Sequence, residues 1–224
     1  MEGFMKTKTK FSKSTRAMTE CAIMIALATI LSLIKVFEMP WGGSITAASM
    51  LPLVIIGYRH GIKWGVLSSV IYSLIQMILG GGTISAAFLP GDDQMKWYLA
   101  VIMVLLDYFF AFSLVGLSGL FRDKNKPSKS LALGALVGTF SRFVMHFLSG
   151  WILWGAWASW FFEDLDKTTG GGFGKFILNT FDGTMLSCMY SLIYNAMYMI
   201  PEILITVILA IFIGKIPYIS KDIE

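Results

Sequence analysis

Six stretches of this chain, approximately residues 18–37, 45–58, 62–80, 97–121, 130–158 and 184–213, carry few charges. No single water-soluble core has room for so much apolar side chain. Hydrophobic residues make up 56% of the 224 and charged residues only 14%, with a mean hydropathy of +0.70. A bilayer accommodates such segments, because a helix needs about 20 predominantly apolar residues to cross it. The predicted fold is therefore an all-α integral membrane protein. A bundle of six transmembrane helices fills residues 18–214, between a basic tail of residues 1–17 and a short tail of residues 215–224. The second segment is the shortest, so it is predicted as a tilted helix or as one completed by the loop before it.

An even number of crossings leaves both termini on one side. Thirteen Lys and Arg residues fall on that side and four, Lys35, Lys96, Lys167 and Lys175, on the other. The positive-inside rule then makes the termini cytoplasmic. The formal charge of +4 becomes a topology signal, and no nucleic acid is expected as a partner. The first apolar run follows a polar, basic start without a small-residue cleavage site, so it reads as a retained helix. Cys21 and Cys188 lie inside apolar runs, which suits small core residues and not a disulfide or thiolate metal site. The sequence has no HExxH, P-loop or GxSxG pattern and only two histidines, His60 and His146. The chain is therefore predicted not to be an enzyme, and no metal or cofactor is expected. Any transport would draw its energy from an ion gradient or from another protein.

Ionisable residues deep in a span are costly, about 2.5–3.5 kcal/mol on insertion scales, and so ask for a reason. Asp107, Arg142, His146 and Glu202 are of this kind. Counting helical rise inward from the estimated outer ends places Asp107 about 15 Å, His146 about 18 Å and Asn195 about 17 Å deep, one layer shared by three helices. Aromatic residues collect there: Tyr108 follows Asp107, Trp151 and Trp154 follow His146, and Tyr190, Tyr194 and Tyr198 flank Asn195. A carboxylate among aromatic faces suits a planar cation, since ring quadrupoles and the carboxylate both attract positive charge where water is scarce. His146 and Asn195 are then placed to read ring nitrogens of that ligand. A structural ion pair between Asp107 and Arg142 is the competing reading. Arg142 and His146, four residues apart, share a helix face. Trp97, Tyr98, Trp160 and Tyr218 are assigned to the interfacial aromatic belt, and the role of Glu202 stays open.

The outer connections, 38–44, 80–96 and 159–180, are Gly-rich, and the runs Gly80–Gly82 and Gly170–Gly172 suit either a lid or a tolerant surface loop. No internal repeat is visible, which argues against an inverted-repeat transporter. Ala22 and Ala26 lie four apart on the first span, a spacing that lets another helix approach closely. Gly57, Gly61 and Gly65, and the pair Gly134 and Gly138, share that spacing and are expected to serve internal packing.

Taken in order, Met39-Pro40-Trp41-Gly42-Gly43-Ser44-Ile45-Thr46, Met50-Leu51-Pro52, Leu106-Asp107-Tyr108, Ser141-Arg142-Phe143-Val144-Met145-His146 and Tyr190-Ser191-Leu192-Ile193-Tyr194-Asn195 resemble the thiamine-specific S component of energy-coupling factor transporters, over nearly the whole chain. The resemblance implies a six-helix vitamin-capture subunit of the bacterial plasma membrane. Such a subunit binds thiamine at the outer face and joins a transmembrane coupling protein and two cytoplasmic ATPase subunits. It implies thiamine contacts at Asp107, Tyr108, His146, Trp154, Tyr190 and Asn195; Trp41 and Tyr72 are added to these as further candidate contacts. It also implies a coupling motif at Ala22 and Ala26. Two departures stand out: some relatives carry a glutamate where Asp107 stands, and the 159–180 connection is longer than expected. The alternative is a solitary proton-coupled permease for thiamine or another cationic vitamin, with Asp107 or Glu202 carrying the proton.

Overall fold

The computed structural model describes residues 13–40 and 42–220. Most of the predicted basic tail, Trp41 and the last four residues lie outside the described residues. Helix α1 (Lys13–Leu33) leads into a small antiparallel hairpin, β1 (Lys35–Glu38) and β2 (Ser44–Thr46). Helices α2 (Leu51–His60), α3 (Ile62–Leu79), α4 (Gly81–Phe88) and α5 (Trp97–Phe121) follow. The chain is completed by α6 (Pro127–Leu153), α7 (Ala158–Thr169), α8 (Phe173–Thr180) and α9 (Gly183–Ile213).

Among the described residues five helices, α1, α3, α5, α6 and α9, are long and apolar enough to cross a membrane. They correspond to the first, third, fourth, fifth and sixth predicted segments. Along each, most side chains face outward, as the lipid-facing surface of a bundle requires. The second segment differs from expectation. Its first residues form β2, and the helix that follows has only ten residues, a rise of about 15 Å, or half a hydrocarbon core. Eight of those ten are buried, so α2 is a core helix enclosed by its neighbours. Pro52 sits in its first turn, where a missing N–H costs nothing, and Gly61 ends it at φ +83° with its N–H on the Gly57 carbonyl.

Of the glycines at four-residue spacing, Gly57, Gly65, Gly134 and Gly138 sit at close approaches inside the bundle, whereas Gly61 serves the turn after α2 and not packing. A Cβ on Gly57 would lie 2.6 Å from Ser118 Oγ, and one on Gly116 2.5 Å from the Val66 Cα. On the other side of α5, Cβ atoms on Gly134 and Gly138 would each stand 2.8 Å from a carbonyl of that helix, of Ser118 and Val115. The inner half of α5, tightened to 3-10 geometry over Leu114–Phe121, is thus wedged between α2, α3 and α6. At this end Arg59 reaches Glu20 of α1 at 3.0 Å and the carbonyls of Tyr218 and Ile219, while Arg122 holds those of Tyr58 and Arg59. Tyr218, predicted for the aromatic belt, lies under the Arg59 guanidinium at 5.7 Å. Both cysteines are free thiols; Cys21 is buried and Cys188 half-buried.

Candidate functional site

At the opposite end the helices part around a cavity of about 540 Å³, within the range typical of small-molecule sites. α5 contributes Asp107, Tyr108 and Phe112; α6 contributes Arg142, His146 and Gly150; α9 contributes Tyr190, Tyr194, Asn195 and Tyr198. Gly42, Gly43 and Ser44 of the hairpin, Asp93 of the loop before α5, and Trp154, Trp157 and Trp160 complete the wall. Asp107, His146 and Asn195, read from sequence as one layer, line this one cavity.

Asp107 lies in a stretch of α5, Val104–Phe110, wound as a π-helix, a local widening found mostly at functional sites. Its Oδ1 is 3.0 Å from His146 Nδ1, and its Oδ2 accepts the Ser149 hydroxyl at 2.6 Å. The Nε–H of Arg142 donates to His146 Nε2 at 3.2 Å, and the guanidinium lies 4.6 Å from the centre of the Phe112 ring. A guanidinium has no acceptor. Nε2 must therefore offer its lone pair, which puts the ring proton on Nδ1, where it is donated to Asp107. The direct Asp107–Arg142 pair weighed from sequence is replaced by a relay in which the imidazole stands between the two charges. Arg142, His146 and Ser149, at spacings of four and three, form one stripe along α6. Ser149 was not singled out from sequence, although its register with His146 marks it.

This arrangement also revises the expected role of His146. Both ring nitrogens are committed, one to Asp107 and one to Arg142, so the ring meets the cavity through its face and edges. Asn195 is similarly occupied. Its Nδ2 donates to the Ser191 carbonyl at 2.8 Å and has the Ser191 hydroxyl and the His146 carbonyl within 3.3 Å. Its Oδ1 accepts the Tyr198 hydroxyl at 2.7 Å. Gly150 makes the close approach of α6 and α9 possible, because a Cβ there would stand 2.3 Å from Ser191 Oγ.

Tyr190, Tyr194 and Tyr198 recur every fourth residue and form a ladder along α9, with ring centres 5.7 and 5.9 Å apart. Phe161 of α7 packs edge-on against the first two. The 159–180 stretch, read as a Gly-rich connection, is accordingly a pair of helices seated on this ladder. Gly170 and Gly172 adopt φ +67° and +68° in the turn between them, and Asp166 accepts the N–H groups of Gly174 and Lys175 at the start of α8. Trp160, expected in the interfacial belt, lines the cavity mouth. Trp151 does not line the cavity; its indole N–H donates to the Thr184 carbonyl. Tyr72 is fully buried one layer behind the wall, edge-on to Phe112 at 5.6 Å. Trp41 lies outside the described residues. Ala22 and Ala26 are far from the cavity, on the exposed face of α1 with Met18, Ile23 and Leu27.

Two carboxylates, Asp93 and Asp107, face one guanidinium in this wall, and aromatic rings supply most of the remaining surface. A wall of this composition can attract a flat, positively charged molecule, since a carboxylate and aromatic faces both favour positive charge.

Comparison with known proteins agrees with this chemistry. The profile of the Thia_YuaJ family, described as thiamine transporter protein, matches residues 18–160. The thiamine transporter ThiT of Bacillus subtilis strain 168 is 28% identical over 224 aligned positions, covering 94% of this chain and 97% of that protein. ThiT of Lacticaseibacillus paracasei is 27% identical over 158 positions, covering 62% of this chain and 68% of that protein. The structure of ThiT from Listeria monocytogenes shares the fold with a TM-score of 0.62 at 20% identity, covering 93% of this chain and 99% of that one. With well over half of its length matched by the profile, the chain belongs to the Thia_YuaJ thiamine transporter family.

Proposed function

We propose that this protein is the substrate-capture subunit of an energy-coupling factor importer in a bacterial plasma membrane. It binds thiamine from the outer side and delivers it together with a transmembrane coupling protein and two cytoplasmic ATPase subunits. The observation that carries the reading is the Asp107 carboxylate in a cavity walled by tyrosine and tryptophan. Thiamine is a thiazolium cation joined to an aminopyrimidine, so it presents a fixed positive charge and two flat rings. Asp107 pairs with the charge, while Tyr108, Trp154, Tyr190 and the face of His146 pack the rings. The spare lone pair of Asn195 Oδ1 accepts a ligand N–H. Tyr72, behind the wall, and Trp41, outside the described residues, complete the proposed set.

In this reading both termini are cytoplasmic, as the distribution of Lys and Arg favours. The β-hairpin and α2 together make the sixth crossing. Ala22 and Ala26 offer the coupling protein a shallow strip on α1, and the sequence, which has no P-loop, leaves ATP hydrolysis to the partners.

Titration of thiamine into the purified chain, followed by tryptophan fluorescence, tests the ligand, since three tryptophans line the cavity. Saturable quenching by thiamine is expected, with none from a neutral analogue lacking the thiazolium charge. Reconstitution into proteoliposomes tests the mode of action. The isolated chain is expected to bind without accumulating thiamine, and uptake driven by a pH gradient alone would identify a solitary permease instead.

A further inference from the structure

Among the described residues, Glu202 is the one deeply buried carboxylate that the cavity does not use. Its side chain is 1% exposed and, among the described residues, no Lys, Arg or His forms an ion pair with it. An ionised carboxylate in that position is tolerated only if strong hydrogen bonds replace its water. Both oxygens find theirs on a single residue far away in sequence. The Thr46 backbone N–H donates to one at 2.7 Å, and the Thr46 hydroxyl to the other at 2.6 Å. Thr46 ends β2, whose outer edge has no third strand, so Glu202 captures an amide that would otherwise be buried without a partner.

The segment held in this way is strained. Between Thr46 and the start of α2 the chain reverses through Ala48 at φ +58°, the only non-glycine residue with positive φ among those described, and costly for a residue bearing a Cβ. Thr46 Oγ1 also accepts the Ser49 N–H at 3.2 Å and is 2.8 Å from the Ser49 hydroxyl, so one threonine ties the turn to itself and to α9. The other end of the hairpin forms cavity wall. A Cβ on Gly43 would lie 2.8 Å from the Tyr198 ring, and one on Gly42 3.2 Å from the Tyr194 hydroxyl. Tyr198 and Glu202 are one helical turn apart, so α9 grips the hairpin twice, at its tip through a ring and at its base through a carboxylate.

We propose that Glu202 is a positioning residue for ligand capture. It fixes the strained turn at Ala48 and thereby seats Gly42–Ser44 against the tyrosine ladder as one wall of the cavity, without touching the ligand. This inference rests on the reading that the cavity holds thiamine.

The full chain carrying Glu202→Gln, and separately Thr46→Val, tests this through two readouts. Amide hydrogen exchange is followed over residues 42–49 without ligand, and thiamine association and dissociation rates are followed by stopped-flow tryptophan fluorescence. Glu202→Gln sets an amide NH2 against a Thr46 donor. Exchange over 42–49 and the dissociation rate are each expected to rise about tenfold or more, as loss of a hydrogen bond to a charged group allows. Exchange in α6 and the association rate should stay within about twofold, since contacts distant from a substitution are little affected. Thr46→Val, which keeps the N–H, should give a smaller change in the same direction. Adding it to Glu202→Gln should add little, because both remove one interaction. Unchanged exchange and dissociation in either variant would overturn the proposal, as would an equal loss of protection in α6. Were the wild-type chain not to bind thiamine, the functional reading would fail by itself, and exchange over 42–49 would still decide whether Glu202 seats the hairpin.

Discussion

The Asp107 carboxyl group is oriented by its neighbours and, among the described residues, forms no ion pair with a Lys or Arg. His146 and Ser149 each donate one hydrogen bond, and the guanidinium of Arg142 reaches the carboxylate only through the imidazole. At about 4 Å and an effective dielectric near 20, a carboxylate and a cation attract by about 4 kcal/mol. Asp107→Asn keeps the shape and one acceptor but removes the charge. It is expected to weaken thiamine by about 2–4 kcal/mol, roughly 30- to 700-fold, as measured by calorimetry at fixed ionic strength. An affinity unchanged by the substitution would return Asp107 to a structural role. At this scale the sequence disclosed the charged groups, because an ionisable side chain in an apolar run stands out without any structure. It did not disclose how their hydrogen bonds are allotted. That His146 and Asn195 are occupied by neighbours depends on helix rotation and on the approach that Gly150 permits, and neither is written in residue type.

Among the elements, the joint between α3 and α4 shows how a glycine run divides its work. A Cβ on Gly80 would lie 2.2–2.6 Å from the Tyr108 ring and hydroxyl, whereas Gly81 and Gly82 have nothing within 4 Å. Gly80 is therefore present to make room for Tyr108 in the cavity wall, and the freedom suggested by three consecutive glycines is not used there. Gly80→Ala is expected to push the Tyr108 ring out of place and weaken thiamine by about tenfold, the worth of one aromatic contact. Thermal stability should change by less than about 1 kcal/mol, because a side chain can swing where backbone cannot. Gly81→Ala and Gly82→Ala should leave the affinity as it is, and fluorescence titration of the three variants separates them. The same scale holds the clearest departure from the sequence reading. Residues 45–58 carry no charge and few polar side chains, and so apolar a stretch has no clear periodicity to distinguish an unbroken crossing helix from a strand followed by a short buried helix. The helices of 159–180 were hidden for a related reason, since Gly170–Gly172 resembles an open loop until both glycines are seen to serve one tight turn.

For the whole molecule, hydropathy was legible because a bilayer imposes it on every span, and five of the six predicted segments appear, among the described residues, as helices long and apolar enough to cross. The partition of the surface was not legible, and it bears on how such a protein would work with others. α1 buries Ala17, Cys21, Ile25 and Ala28 against the bundle and turns Ala22 and Ala26 outward, flanked by Ile23 at 61% and Leu27 at 42% exposure. Two alanines between larger side chains leave the kind of shallow groove that small-residue helix contacts use, with contact and lipid release as the driving forces, and the proposed coupling protein would dock there. The double substitution Ala22→Leu with Ala26→Leu fills that groove yet remains apolar, so insertion and thiamine binding should match the wild type within about twofold, the two sites being far apart. Co-purification with the coupling protein and ATP-dependent uptake in reconstituted vesicles should both fall by more than about tenfold, since small-residue contacts tolerate little added volume. Full uptake by the double variant would move the coupling surface to another face of the bundle, while loss of thiamine binding together with uptake would mean that α1 acts on the cavity itself.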